Sequence, residues 1–107
     1  MPSAQTTEAL RTFVEARDWS AFHTPENLAK SISIEAAELL ELYQWTESPD
    51  QQHVEDELAD VVSYCIHLAN RLGVDLDEIV MRKLAKTERK YPVELNQGTI
   101  NKHEPQA

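Results

Sequence analysis

The sequence predicts an all-α fold. Three observations carry that expectation. There are 2 glycines against 41% hydrophobic residues in 107 positions, too few breaks for a chain of short strands and turns. Long segments repeat their apolar residues at helical period. Each of those segments is bracketed by a start or stop signal. The expected architecture is four main helices in an antiparallel bundle that oligomerisation completes. One helical domain is expected over residues 1–95, with a flexible tail over 96–107.

The first helix is expected from about Ser3 to Asp18, with Ala9, Leu10, Phe13 and Val14 as its apolar side. The connection "WSAFHT" follows. Thr24 suits an N-cap, Pro25 the first helical position and Glu26 the first turn, so a second helix should start there and run to about Trp45. "TESPDQ" breaks it. The third helix should reach Leu72 and stop at Gly73. Asp75 caps a fourth, with Glu78 at the capping-box position, and that helix ends before Pro92.

The charge balance narrows the function. The chain has 10 Lys and Arg against 19 Asp and Glu, a formal net charge of -9. Bulk attraction to nucleic acid or to an anionic membrane is not expected. A polyphosphate ligand would need a cation between it and the protein. No apolar run reaches membrane-span length. The lone Cys65 has no partner for an internal disulfide, so a reducing, cytoplasmic compartment is expected.

One internal echo stands out. "IEAAELLEL" in the second helix resembles "DELADVVSY" in the third. On a helical wheel with Glu35 and Glu57 superposed, Leu39 matches Val61, Ile32 matches Val54 and Glu38 matches Asp60. Both helices thus carry an acidic pair at the same edge of the same apolar stripe. Helices joined by a short loop pack antiparallel, so the two edges can face each other. Four converging carboxylates repel, and a hard divalent cation relieves this best: Mg²⁺, with Mn²⁺ as a substitute. A di-iron centre would call for Glu-x-x-His pairs. Here Glu38, Glu41 and Asp60 stand three after Glu35, Glu38 and Glu57, while His53 follows Asp50 only at a helix start. A single Glu-x-x-Glu is ordinarily a solvated edge. Two matched pairs on consecutive helices favour a site, with Glu41 as an additional ligand or a solvated neighbour.

The pattern E-x-x-E followed by E-x-x-D resembles the signature of the MazG-like all-α nucleotide pyrophosphohydrolases. "RDWSAFHTPENL", "ELLELYQW", "DELADVVSY" and "KYPVEL" are similar, in order, to blocks of the dCTP pyrophosphatase branch, from Arg17 to Leu95. The resemblance implies Glu35, Glu38, Glu57 and Asp60 as Mg²⁺ ligands. It implies hydrolysis of a (deoxy)nucleoside triphosphate to the monophosphate and pyrophosphate, with dCTP or modified cytidine nucleotides as substrates and nucleotide-pool clean-up as the role. It also implies a homodimer or homotetramer with sites shared between subunits. Glu35 or Glu38 is the candidate to orient or deprotonate the attacking water.

Other candidates flank this centre. Trp19 and Trp45 stand near the two ends of the second helix, as packing residues or as stacking surfaces for a base. His23 can hydrogen-bond a nucleotide or cap its turn, and its neighbour Phe22 reads as core. Tyr64 lies one turn after Asp60, where its hydroxyl can reach sugar or phosphate or simply pack. Half of the 10 cationic residues fall in "RKLAKTERK". Arg89 and Lys90 complement the helix dipole there. Lys83 and Lys90, two turns apart, can also hold phosphates. The chain departs from its look-alikes at Thr87, where relatives carry Asn, and at Leu10, where some vertebrate members carry His. Two rivals share these features: a phosphoribosyl-ATP pyrophosphohydrolase, against which the paired tryptophans argue, and a non-catalytic helical module whose acidic edge binds a basic partner without Mg²⁺.

Overall fold

A computed structural model describes residues 2–98, and all of its elements are helical. In order they are α1 (Ala4–Ala16), a 3-10 turn (Ser20–Phe22), α2 (Pro25–Leu42), α3 (Gln51–Leu72), α4 (Leu76–Lys90) and α5 (Val93–Asn96). Contacts divide the chain into two compact units, one ending at Val74 and the other beginning at Asp75.

The helix starts follow side-chain chemistry. Ser3, Thr24, Asp50 and Asp75 each accept a hydrogen bond from the backbone N–H three residues on, satisfying one of the donors that a helix start leaves open. Asn27 donates to the Phe22 carbonyl at 3.1 Å, which ties the 3-10 turn to the start of α2.

Two helix ends share one device. Beyond α3, Gly73 adopts a left-handed φ of 69° and Val74 N–H donates back to the Ala69 carbonyl at 3.0 Å. Beyond α1 the same turn forms on Asp18, with φ 54°. Trp19 N–H donates to the Val14 carbonyl and Asp18 N–H to that of Glu15, each at 3.1 Å, the double bond of a Schellman motif. The turn swings Trp19 back edge-on to Phe13, with ring centroids 5.6 Å apart. The first helix therefore ends at Ala16, two residues short of the expected Asp18.

The second helix ends earlier than its periodicity suggests, at Leu42 rather than Trp45. Tyr43 N–H and Gln44 N–H bond three residues back, tightening the last turn, and Ser48 N–H turns to the Thr46 hydroxyl at 3.1 Å. That local bond competes with helix continuation. Trp45 is consequently a loop residue.

In the first unit α2 packs along α3 more extensively than α1 does. Val14, Leu28, Ile66 and Ala69 are its buried apolar residues, with Leu28 1% and Ile66 2% exposed. Ile66 and Ala69 are the buried positions of α3. Ile66 is enclosed on α3, the helix against which both α1 and α2 pack. Phe22, read as core, is 69% exposed, because the 3-10 turn directs it away from the helices. Leu40, at 70%, Leu58 and Val62 remain exposed on the hairpin.

In the second unit, Asp77 and Glu78 occupy the first turn of α4 and Arg89 and Lys90 its last, the order that complements the helix dipole. Pro92 then starts the short α5, and Asn96 donates back to the Pro92 carbonyl at 3.0 Å. The expected tail lies outside the described residues beyond Gly98. No helix among the described residues is long and apolar enough to cross a membrane.

These features carry opposite stability outcomes. Asp18→Gly removes the Cβ penalty of a left-handed residue and should raise stability by about 0.5–1 kcal/mol. Leu28→Ala empties a fully enclosed position and should lower it by about 2–5 kcal/mol. Urea melts of both variants check the pair; loss of stability in the glycine variant would contradict the helix-end account.

Candidate functional site

The helical register places Glu35 and Glu38 one turn apart on α2, and Glu57 and Asp60 one turn apart on α3. The antiparallel packing of the two helices brings the pairs together. One ligand oxygen each from Glu35, Glu57 and Asp60 lies within 4.8 Å of the others. Glu35, Glu38 and Glu57 are half-buried, while Asp60 is exposed. Glu41 is exposed and stands outside the trio. Glu35 Oε2 and Glu57 Oε2 are both buried without a hydrogen-bond partner. Two orphaned carboxylate oxygens facing a third carboxylate are costly unless protons or a cation satisfy them.

The titration behaviour reflects that strain. The Glu35 carboxyl is pushed up to about 7, first by its hydrogen bond with Glu38, then by burial, then by the charges of Glu38, Asp60 and Glu57. Glu57 is raised as well, chiefly by burial and then by Glu38 and Asp60. An all-oxygen donor set with unsatisfied inward oxygens is what a hard divalent cation requires, so the residues present fit a metal ion. Glu38 stands beside the trio, in contact with both half-buried ligands.

A second grouping lies toward the other end of α3. His23, just beyond the 3-10 turn, meets His67 edge-on with ring centroids 4.9 Å apart, and His67 meets Tyr64 the same way at 5.7 Å. Burial lowers the pKa of both histidines, and proximity to His23 lowers that of His67 further. A cleft of about 170 Å³ opens beside them, between α1 and α3. Arg11, Val14, Ser20, His23, His67 and Asn70 form much of its wall.

The structure thus joins His23 and Tyr64 through His67, a residue the sequence reading did not single out. A signal existed: Asp60, Tyr64 and His67 fall at helical spacing on one face of α3. Asn70 carried no such signal, because its role depends on a contact with Arg11, 59 residues away. Trp19 is held half-open against Phe13. Trp45, 88% exposed, lies in the α2–α3 loop, at the opposite end of α2 from His23. Lys83 and Lys90 belong to α4 in the second unit, where Lys90 Nζ lies 5.5 Å from the Tyr91 ring centre.

The acidic seam makes a pH prediction for the metal-free protein. The unfolded Glu35 carboxyl loses its proton near 4.5, whereas the folded one retains it to about 7. The folded state binds more protons in that interval, so stability is present at its lower end and falls as pH rises through it. Thermal melts with chelator should show this fall, and a divalent cation added at the upper end should reverse it. A melting temperature that rises across the interval, or ignores the cation, would contradict the assignment.

The sequence profile of the MazG-like family matches residues 30–104. The bovine protein dCTP pyrophosphatase 1 (Bos taurus) is 38% identical over 101 residues, covering 85% of this chain and 60% of its own length. Its human counterpart (Homo sapiens) is 36% identical, covering 85% and 59%. The chain therefore spans about 60% of the length of the curated relatives it matches. A crystal structure of a pyrophosphatase from Archaeoglobus fulgidus superposes with a TM-score of 0.72 at 47% identity, covering 79% of this chain and 87% of that one.

Proposed function

The chain belongs to the MazG-like family, and from that premise we propose that it hydrolyses a (deoxy)nucleoside triphosphate to the monophosphate and pyrophosphate, with cytidine nucleotides preferred. The observation that carries the proposal is the seam of Glu35, Glu57 and Asp60, whose oxygens converge within 4.8 Å with two of them buried and unpartnered. The names of the bovine and human relatives support the substrate class.

Glu35, Glu57 and Asp60 would hold Mg²⁺, with Glu38 beside them. The ion supplies neutralisation of the polyphosphate and a bound water of lowered pKa. Glu38 lies next to the trio, where its hydrogen bond raises the pKa of Glu35 in the metal-free protein. In this reading Glu38, or Glu35 beside it, orients the attacking water and takes its proton. Tyr64, one turn from Asp60, reaches toward the sugar. Trp19 and His23 lie at the base end, and Lys83, Lys90 and Trp45 are further substrate contacts in this reading.

Assembly belongs to the same proposal. Leu40, Leu58 and Val62 leave apolar surface exposed on the α2–α3 hairpin, and a second copy of the chain covers it as a homodimer or homotetramer. The helical domain over 1–95 carries the activity, and residues 96–107 are a tail outside it.

The test is a panel of nucleoside triphosphates with Mg²⁺, scored for pyrophosphate against orthophosphate. Pyrophosphate is the expected product. Glu38→Gln and Asp60→Asn should each lower turnover by about 10²-fold or more with helicity unchanged. Turnover within a few fold of wild type in both would remove the site, and a protein indifferent to Mg²⁺ would favour the interaction-module rival. Assembly is tested separately by light scattering of Leu58→Asp, which should shift to a smaller species.

A further inference from the structure

His67 joins two residues that the hydrolase reading places against the substrate. Asp60, Tyr64 and His67 follow one another along α3 at steps of four and three residues, so they share one stripe of the helix. Helical side chains lean toward the helix N-terminus. Tyr64 therefore leans toward the Asp60 end of the stripe, and His67 leans onto Tyr64. The two rings meet edge-on, with centroids 5.7 Å apart and planes at 68°. A second ring contact comes from outside α3. His23, in the connection between α1 and α2, meets His67 edge-on with centroids 4.9 Å apart and planes at 67°.

Both contacts use His67 as an aromatic ring rather than as a charge. Burial lowers its pKa and the neighbouring His23 lowers it further, so the ring is uncharged at neutral pH. Edge-on pairs carry a preferred geometry as well as an attraction, so a ring met by two others is held in orientation and orients them in turn. His67 is half-buried and stands seven residues from Asp60, about 10 Å along the helix. That distance places it behind Tyr64 as seen from the acidic seam.

We propose that His67 is a positioning residue for the hydrolysis: its ring holds Tyr64 toward the acidic seam and, through His23, ties the turn after α1 to the same face of α3. The proposal rests on the nucleotide-hydrolase reading, in which Tyr64 and His23 touch the substrate and His67 does not. What the position requires is a flat ring, not a proton.

The test uses the full chain with Mg²⁺ and dCTP, and the variants His67→Ala, His67→Phe, Tyr64→Ala and the double variant of both alanines. Alanine suits a helix, so helicity should be unchanged in His67→Ala, and so should the Mg²⁺ dependence, because the acidic seam is untouched. KM should rise about tenfold in that variant, with kcat within about twofold of wild type. His67→Phe keeps a ring for both contacts and should bring KM back to within about threefold of wild type. In the Tyr64→Ala background the effect of His67→Ala should shrink by about threefold or more, since the two residues act as a unit. Proton NOEs from the His67 ring to the rings of Tyr64 and His23 check the arrangement without turnover, and they should be present in the wild type. Wild-type KM in His67→Ala, an equal rise in His67→Phe, full additivity with Tyr64→Ala, or missing NOEs would each overturn the proposal. A wild type that releases no pyrophosphate from any triphosphate would instead sink the hydrolase reading, and the proposal with it.

Discussion

Like charge held in the seam between α2 and α3 is the constraint on which the rest of the structure depends. Three carboxylates meet there within 4.8 Å, and Glu38 stands against them. Like charge across the seam opposes the close approach of the two helices. The hairpin must be secured by apolar packing farther along, and Leu28 and Ile66 provide it toward the opposite end. The acidic pairs consequently sit where the helices can be held close without being locked together by their own contacts. A bound cation changes the sign of the seam's contribution, so ligand binding and hairpin stability are linked.

Helix ends decide whether those acids meet at all. A three-residue spacing gives each pair a shared edge, but only the start of each helix sets where that edge falls along the seam. Thr24 and Asp50 fix those starts through side-chain caps, each worth about 1 kcal/mol. The Schellman turn at Asp18 does similar work at the other end. It bends the chain so that the residues after α1 return over α3, and His23 thereby reaches His67.

What was legible in the sequence follows from this division. Periodicity and caps are local, so the helices, the Gly73 stop and the convergence of Glu35, Glu57 and Asp60 could be read from spacing. The end of α1 could not, because its left-handed residue is Asp18 rather than the glycine that usually marks the turn. The end of α2 was missed because Thr46 competes for the backbone through a bond that leaves no periodic trace. Ile66 illustrates a further limit. Its wheel position is apolar either way, and only tertiary packing makes it enclosed while Val62, one turn earlier, is exposed. His67 and Asn70 were hidden for a similar reason, since His23 and Arg11, their partners, lie on other elements.

The geometry of α3 then bears on how such a site can vary. One helix carries Glu57 and Asp60, the tyrosine one turn on, and His67 and Asn70 of the cleft wall. Its rise of about 1.5 Å per residue makes the distance between the acidic seam and the cleft a fixed number of residues. Each end, however, is completed by a different element: α2 supplies Glu35 and Glu38 to one, and α1 supplies Arg11 and Glu15 to the other. Substitutions in α1 can therefore reshape the cleft without moving the acidic seam.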